Sequence, residues 1–141
     1  MNARESKSGR LDRSFAGDGT VIAATRAAHD FAVDQGLERS DVSRLSVIIE
    51  ELVANLYEHG GISDGDAIGL SLVHGPDGIN IVLSDSGRPF DPRAMASNRP
   101  RPDRGGGAGI NIIRAWTQFV DYAVEPGQNR LELLMPIHLS P

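Results

Sequence analysis

The sequence predicts a two-layer α+β sandwich in which helices cover one face of a mixed, mostly antiparallel sheet. Two helical stretches follow a single strand-like segment, and a third helical stretch separates two segments that are typical of β-hairpins. Parallel sheets instead show a regular alternation of strands and helices. The 141 residues contain no internal repeat and no linker, so we expect one domain over residues 10–138 after a disordered tail at residues 1–9.

The first two helices follow from apolar residues that recur at helical spacing. The pattern begins at residue 20 and continues to about residue 35, where Gly36 is suited to end the helix. A broad apolar face over residues 41–59 predicts the second helix. Ser40 or Asp41 is expected to be its N-cap, because short polar side chains accept hydrogen bonds from the first free backbone N–H groups.

Strand-like alternation and turn residues predict the rest of the fold. An edge strand and two hairpins are predicted at residues 10–15, 67–75 with 78–87, and 121–126 with 129–137. Residues 88–109 are rich in Pro, Gly and Arg without periodicity, which predicts a long loop. INIIRAWTQF, residues 110–119, resumes the helical spacing and predicts the third helix.

Composition excludes several classes of protein. The absence of cysteine excludes disulfides and thiolate metal sites, and no apolar run approaches the length of a membrane span. The start, MNARESKSGR, does not resemble a secretory signal, so we expect a cytoplasmic protein. A net charge of −5 disfavours nucleic acid and anionic membranes as partners and favours a protein or a small molecule.

The second predicted helix carries polar side chains within its apolar pattern. In EELVANLYEHGG, residues 50–61, Glu51, Asn55 and His59 are spaced four apart and form a ridge on one helix face. A half-buried carboxylate is a candidate general base, and a nearby amide oxygen is a candidate ligand for a hard cation. The alternative is an ordinary solvated face, and a histidine before Gly60 is typical of a helix C-terminus.

A second candidate site follows the strand that ends in SDSGRPFDP, residues 84–92. Asp85 is expected where the chain leaves the sheet, and a buried carboxylate there accepts hydrogen bonds from an exocyclic amine such as that of adenine. Gly87 would permit close approach of a planar ligand, or a φ angle that other residues avoid. The alternative is a simple Asx-type turn, which explains most isolated DxG sequences.

A third candidate site is RGGGAGINIIR, residues 104–114, in which a glycine run opens a helix. Backbone N–H groups and the positive end of the helix dipole make such a junction suited to anions. Residues 88–104 contain five arginines and two aspartates, so this segment is locally basic in an acidic chain. The run is not a Walker motif, and a solvated loop would explain the same composition.

Together these three motifs resemble a known family. EELVANLYEHG, DSGRPFDP and GGGAGINIIRAWTQFVDYAVEPGQNRLELLMPI are similar to the N, G1 and G2 boxes of the GHKL ATP-binding superfamily, in particular of bacterial anti-sigma-factor serine/threonine kinases. The similarity covers residues 10–137. It implies a Bergerat-type sandwich that binds ATP with Mg²⁺ and forms a homodimer.

The resemblance also implies residue roles. Glu51 would be the general base, Asn55 the Mg²⁺ ligand, Asp85 the partner of the adenine amine, and Gly87 part of the adenine pocket. The expected nucleotide-binding set is Asn55, Asp85, Gly87, Arg104, Gly105, Gly106, Gly107, Ala108 and Gly109, of which Gly107 and Gly109 match the family's phosphate contacts.

Comparison with the family draws attention to three further positions. Arg26, in AATRAAHDF of the first helix, matches a position that touches partner proteins. The final hairpin departs from the family, because it has Gln128 and Asn129 where members often carry small hydroxyl residues near the adenine.

Three functions are compatible with these features. The first is a kinase that transfers the γ-phosphate of ATP to a STAS-domain anti-sigma-factor antagonist and otherwise sequesters a sigma factor. The second is a nucleotide-binding module that sequesters its partner without phosphotransfer, although such a module has no need of Glu51. The third is the catalytic piece of a histidine kinase, which the absence of a helical segment carrying an acceptor histidine disfavours.

Overall fold

A computed structural model describes residues 9–63, 65–89 and 106–137, with only the backbone for residues 106–110. The described part contains five strands and three helices. In chain order they are β1 (Arg10–Phe15), α1 (Thr20–Asp34), α2 (Arg39–His59), β2 (Ile68–Gly75), β3 (Gly78–Asp85), α3 (Gly106–Trp116), β4 (Gln118–Glu125) and β5 (Gln128–Met135). The limits of the predicted domain and tail stay predictions, since residues 1–8 and 138–141 lie outside the described residues.

The five strands form one sheet in the order β1-β2-β3-β5-β4, and every described pair of neighbours is antiparallel. Alternate residues of β2 and β3 point into the same core, with Leu70 opposite Leu83 and Leu72 opposite Ile81. The helices pack on this apolar face. The predicted α+β sandwich is therefore confirmed.

The helix layer is built from small residues on α1 and larger ones on α2. Ala24, Ala28 and Ala32 of α1 are fully buried, so the two helices approach closely. The apolar stripe of α2 fills the space between α1 and the sheet with Leu45, Ile48, Ile49, Leu52, Val53 and Leu56. This packing brings Asn55 of α2 to a cavity that Asp85, the last residue of β3, also lines.

The end of α1 confirms the sequence prediction, whereas the start of α2 corrects it. Gly36 has φ 77°, and N–H of Leu37 donates to the carbonyl of Ala32 (3.1 Å), as in a Schellman motif. The N-cap of α2 is Glu38, so the prediction of Ser40 or Asp41 is wrong. Asp41 lies within the first turn of the helix, where its buried carboxylate pairs with Arg44 and lies near the positive end of the dipole.

The third helix lies earlier in the chain than its spacing predicts. It begins within the glycine run and ends at Trp116, whereas residues 118 and 119 belong to β4, so the predicted helix over residues 110–119 is wrong at both ends. The hydroxyl (2.6 Å) and N–H (3.0 Å) of Thr117 donate to the carbonyl of Ile113, which satisfies the last turn before the chain enters the sheet. Most of the predicted loop, residues 90–105, lies outside the described residues.

Among the helices described, none combines the length and the apolar character that crossing a membrane requires.

Candidate functional site

Asn55 of α2 lines a small cavity between α2 and the sheet. Its side chain is 4% exposed, and no described residue offers a hydrogen-bond partner to its Nδ2. The centre of a water-sized sphere can occupy about 20 Å³ of this cavity, which is room for about one water molecule. The lining residues are Leu52, Asn55, Leu56, Leu83, Asp85, Tyr122 and Leu131. The structure thus brings Asn55 and Asp85, which are 30 positions apart in the chain, to one cavity.

Asp85 is the last residue of β3 and is 9% exposed. Its Oδ1 accepts hydrogen bonds from N–H of Gly87 (2.8 Å) and from Nδ2 of Asn129 (3.1 Å). The first bond is the Asx-type turn that the sequence offered as the alternative to a ligand site. The turn employs one carboxylate oxygen only, and the other, Oδ2, accepts no hydrogen bond from any described residue. The turn and a ligand site are therefore compatible.

Gly87 is required by a close approach of the protein's own backbone. A Cβ atom at this position would overlap the carbonyl oxygen of Gly60 and lie 2.6 Å from Cγ2 of Ile62. The next residue, Arg88, donates its N–H to the same Gly60 carbonyl (2.6 Å). The φ angle of Gly87 is outside the left-handed region, so the expectation of an avoided φ is wrong. Gly87 instead ties the end of β3 to the end of α2.

Asn129 is a site residue that the sequence did not assign. The antiparallel register places it directly opposite Asp85, and it is 3% exposed. The only sequence signal was the departure of the final hairpin from the family's small hydroxyl residues. Of the two positions noted there, Asn129 is buried and donates to Asp85, whereas Gln128 is exposed.

The glycine run supplies the first turn of α3. Residues Gly106, Gly107, Ala108 and Gly109 have helical backbone, whereas Arg104 and Gly105 lie outside the described residues. The first N–H groups of a helix have no partners within it and favour negative charge. This third helix packs against α2, the helix that carries Asn55.

Comparison with known proteins agrees with this arrangement. The sequence model of the histidine kinase-like ATPase domain matches residues 16–135. The chain belongs to this family. No curated protein matches the chain. The GHKL part of the resemblance is thereby confirmed, and the domain is of an ATP-binding type, whereas the anti-sigma-factor subfamily and the individual site residues stay predictions.

In this histidine kinase-like ATPase domain, Glu51 lies one turn before Asn55 on α2 and is half-buried. Burial raises the pKa of its carboxyl group, and the negative charges of Glu50 and Glu58 raise it further. The carboxylate is therefore a stronger base than an ordinary glutamate. Because the folded-state pKa exceeds that of the unfolded chain, this group's contribution to stability falls as the pH rises through the window between them.

The described residues of the histidine kinase-like ATPase domain offer few groups to a metal ion. No three His, Asp or Glu side chains among them form a cluster able to hold one. Mg²⁺ is commonly bound through one or two side-chain oxygens together with substrate phosphates, and it does not need such a cluster. The carboxamide oxygen of Asn55, a buried residue that lines the Asp85 cavity, would fit this limited role.

Arg26 lies apart from the Asp85 cavity. It lines a groove of about 500 Å³ between α1 and α2, together with Val21, Ile22, Thr25, His29, Asp30, Ser46 and Glu50. Glu50, which the sequence assigned no role, thus faces this groove from α2 together with Ser46. His59 is not among the residues that line the Asp85 cavity, and its Nε2 lies 3.7 Å from Glu58 in the last turn of α2.

Proposed function

We propose that this domain is an anti-sigma factor with protein serine/threonine kinase activity. It transfers the γ-phosphate of ATP to a STAS-domain anti-sigma-factor antagonist and binds a sigma factor when the antagonist is phosphorylated. One observation carries the proposal: Asn55 and Asp85 meet at one buried cavity, and Glu51, with its raised pKa, lies one helical turn from Asn55. Membership of the histidine kinase-like ATPase family supports ATP as the phosphate donor.

Three elements of the fold contact different parts of Mg–ATP in this proposal. The base amine donates to Oδ2 of Asp85, the carboxamide oxygen of Asn55 binds Mg²⁺, and the first turn of α3 binds the phosphates through backbone N–H groups. When bound, Mg²⁺ neutralises negative charge on the phosphates. The Asp85 cavity by itself is too small for a purine.

Glu51 is the proposed general base. Its carboxylate accepts the proton of a serine or threonine hydroxyl on the antagonist as that oxygen attacks the γ-phosphorus of ATP and ADP leaves. The positioning of the two reactants and the charge of the bound cation supply most of the remaining catalysis.

The groove that Arg26 lines is the proposed docking surface for the partner proteins. It is larger than the Asp85 cavity, and it contains both apolar residues such as Ile22 and the charges of Arg26 and Glu50. Phosphorylation of the antagonist adds negative charge and lowers its affinity, so the sigma factor then occupies the protein. A cytoplasmic homodimer is part of this proposal.

The alternative is a sequestering module that binds ATP without transferring phosphate. One observation favours it: Glu51 is not among the residues that line the Asp85 cavity. Incubation of the protein with Mg–ATP and a STAS-domain antagonist, followed by intact-mass measurement of the antagonist, separates the two functions. The kinase adds a phosphate to the antagonist. Tight ATP binding with no added phosphate on any cognate antagonist would support the module.

Asn55→Leu is expected to stabilise the fold while weakening Mg–ATP binding. A buried polar group without a partner costs about 1–3 kcal/mol, and leucine of similar volume removes this cost, so unfolding free energy should rise by about 1 kcal/mol. Loss of the cation ligand should weaken the binding of Mg–ATP about tenfold or more, because a polar contact to a charged group is worth about 1.5–3 kcal/mol and about 1.4 kcal/mol changes a dissociation constant tenfold. Denaturant unfolding and calorimetry measure both quantities. A destabilised variant with unchanged ATP affinity would contradict the assignment.

Glu58→Gln is expected to move the acidic limb of the phosphotransfer profile to lower pH. Glu58 raises the pKa of Glu51, so removing its charge lets Glu51 ionise, and act as a base, at lower pH. Single-turnover rates measured against pH report this limb. Glu125→Gln removes one equal charge from β4, which is not among the causes of the shift, and should leave the limb in place. An unmoved limb in Glu58→Gln would argue against Glu51 as the titrating base.

A further inference from the structure

Asn129 makes two hydrogen bonds that join the proposed base-binding residue to the turn behind it. Its Nδ2 donates to Oδ1 of Asp85 (3.1 Å) and to the carbonyl oxygen of Gly87 (2.9 Å). Both hydrogens of the amide are employed in this way. The orientation of the amide is therefore fixed, because turning it over would place its oxygen against two acceptors.

These bonds also fix the carboxylate of Asp85. Its Oδ1 accepts hydrogen bonds from the amide of Asn129 and from N–H of Gly87, so this oxygen is already occupied by the protein's own donors. Oδ2 is left as the acceptor that no described residue occupies. A carboxylate held at one oxygen by two donors cannot rotate freely about its Cβ–Cγ bond, so the direction of the free oxygen is set before a ligand arrives.

We propose that Asn129 is a positioning residue that sets the base specificity of the nucleotide site by presenting Oδ2 of Asp85 to an exocyclic amine. The inference rests on the proposed function, in which Asp85 binds the base of ATP. A fixed acceptor favours adenine, whose 6-amino group donates, over hypoxanthine, which carries an acceptor oxygen at the same position. Without Asn129, the carboxylate turns, and its preference for a donor at that position weakens.

A purely structural role for Asn129 has a different consequence. A buried carboxylate needs donors to offset its desolvation, so losing the amide would destabilise the fold and weaken all nucleotides alike. If Asn129 positions Asp85, its loss weakens the binding of ATP more than the binding of inosine triphosphate. The ratio of the two dissociation constants therefore separates positioning from general stability.

The experiment measures the dissociation constants of ATP and of inosine triphosphate, both with Mg²⁺, by calorimetry. The wild-type protein should prefer ATP, and this preference should fall about tenfold in Asn129→Ala. Asn129→Thr keeps one donor, as in family members with small hydroxyl residues, and should retain part of the preference. It also preserves a test if the alanine variant does not fold.

Asn80 offers a matched control on the same sheet. Its Nδ2 donates to Oε2 of Glu132 (3.0 Å), which is also an amide to carboxylate bond between β3 and β5, but on the face away from the helices. Asn80→Ala should leave the ratio unchanged. Thermal unfolding of every variant accompanies the binding measurements.

Two results would overturn the inference in distinguishable ways. If Asp85→Ala abolishes the preference for ATP but neither Asn129 variant changes it, Asn129 does not position the carboxylate and the proposed function survives. If the wild-type protein binds ATP and inosine triphosphate equally, and Asp85→Ala changes neither, Asp85 does not bind the base and the proposed site itself fails.

Discussion

Glu51→Gln is expected to lower the rate of phosphate transfer to the antagonist about 10²–10⁴-fold, which is the usual contribution of a positioned general base. Glutamine has nearly the same shape but cannot accept the hydroxyl proton. Mg–ATP affinity should change little, because the nucleotide is bound by Asn55, Asp85 and the start of α3. Loss of a half-buried charge whose pKa is raised should also leave the fold at least as stable at neutral pH.

The transfer rate is measured in single-turnover reactions that move phosphate from radiolabelled ATP to a STAS-domain protein. The nucleotide affinity is measured separately, by calorimetry with an ATP analogue that is not hydrolysed. Glu125→Gln, the same chemical change at an exposed position of β4, is the matched control and should transfer phosphate at the wild-type rate. Full activity in Glu51→Gln would place the base elsewhere. Transfer that is absent even from the wild-type protein, with ATP bound, would instead favour the sequestering module.

The secondary structure could be predicted from the sequence wherever one hydrophobic period persisted. The first hairpin and the first two helices lie within one or two residues of their predicted bounds, whereas β4 of the closing hairpin begins three residues before its predicted start at residue 121. The third helix was predicted to continue through residues 118 and 119 because their spacing still fits a helix. Pairing with β5 decides the outcome, since Gln118 lies opposite Leu134 and Phe119 opposite Leu133 in the sheet. Strand pairing between distant residues cannot be read from a local window.

The candidate site shows the same division between local and long-range information. Asp85 and Gly87 could be singled out because the DSG sequence follows a strand, and Asn55 because an amide interrupts an apolar helix. The hydrogen bond from Asn129 to Asp85 could not be predicted, because the two residues are 44 positions apart and only the β3–β5 register brings them together. The reason for Gly87 was also hidden, since it depends on the Gly60 carbonyl at the end of another element.

Gly87→Ala is expected to weaken nucleotide binding on the order of a hundredfold, because it disturbs the packing between the end of β3 and the end of α2 beside the site. The added methyl group would overlap the Gly60 carbonyl oxygen and crowd Ile62, and backbone atoms cannot turn aside as a flexible side chain can. The segments that contain Gly60 and Gly87 must therefore separate by about 1 Å. A displacement of this size in a functional site lowers its activity by a factor on the order of a hundred. Overpacking of this kind also lowers unfolding free energy by about 1–3 kcal/mol.

The displacement affects two parts of the site at once. Gly60 ends the helix that carries Asn55, and the carbonyl oxygen of Gly87 accepts a hydrogen bond from the amide of Asn129. ATP titration by calorimetry and denaturant unfolding test the two effects. Gly75→Ala is the matched control: it makes the same substitution at the end of β2, where a Cβ meets no atom within 4 Å, and should alter neither quantity. If Gly87→Ala loses stability but binds ATP with wild-type affinity, the contact between Gly87 and Gly60 holds the fold without shaping the nucleotide site.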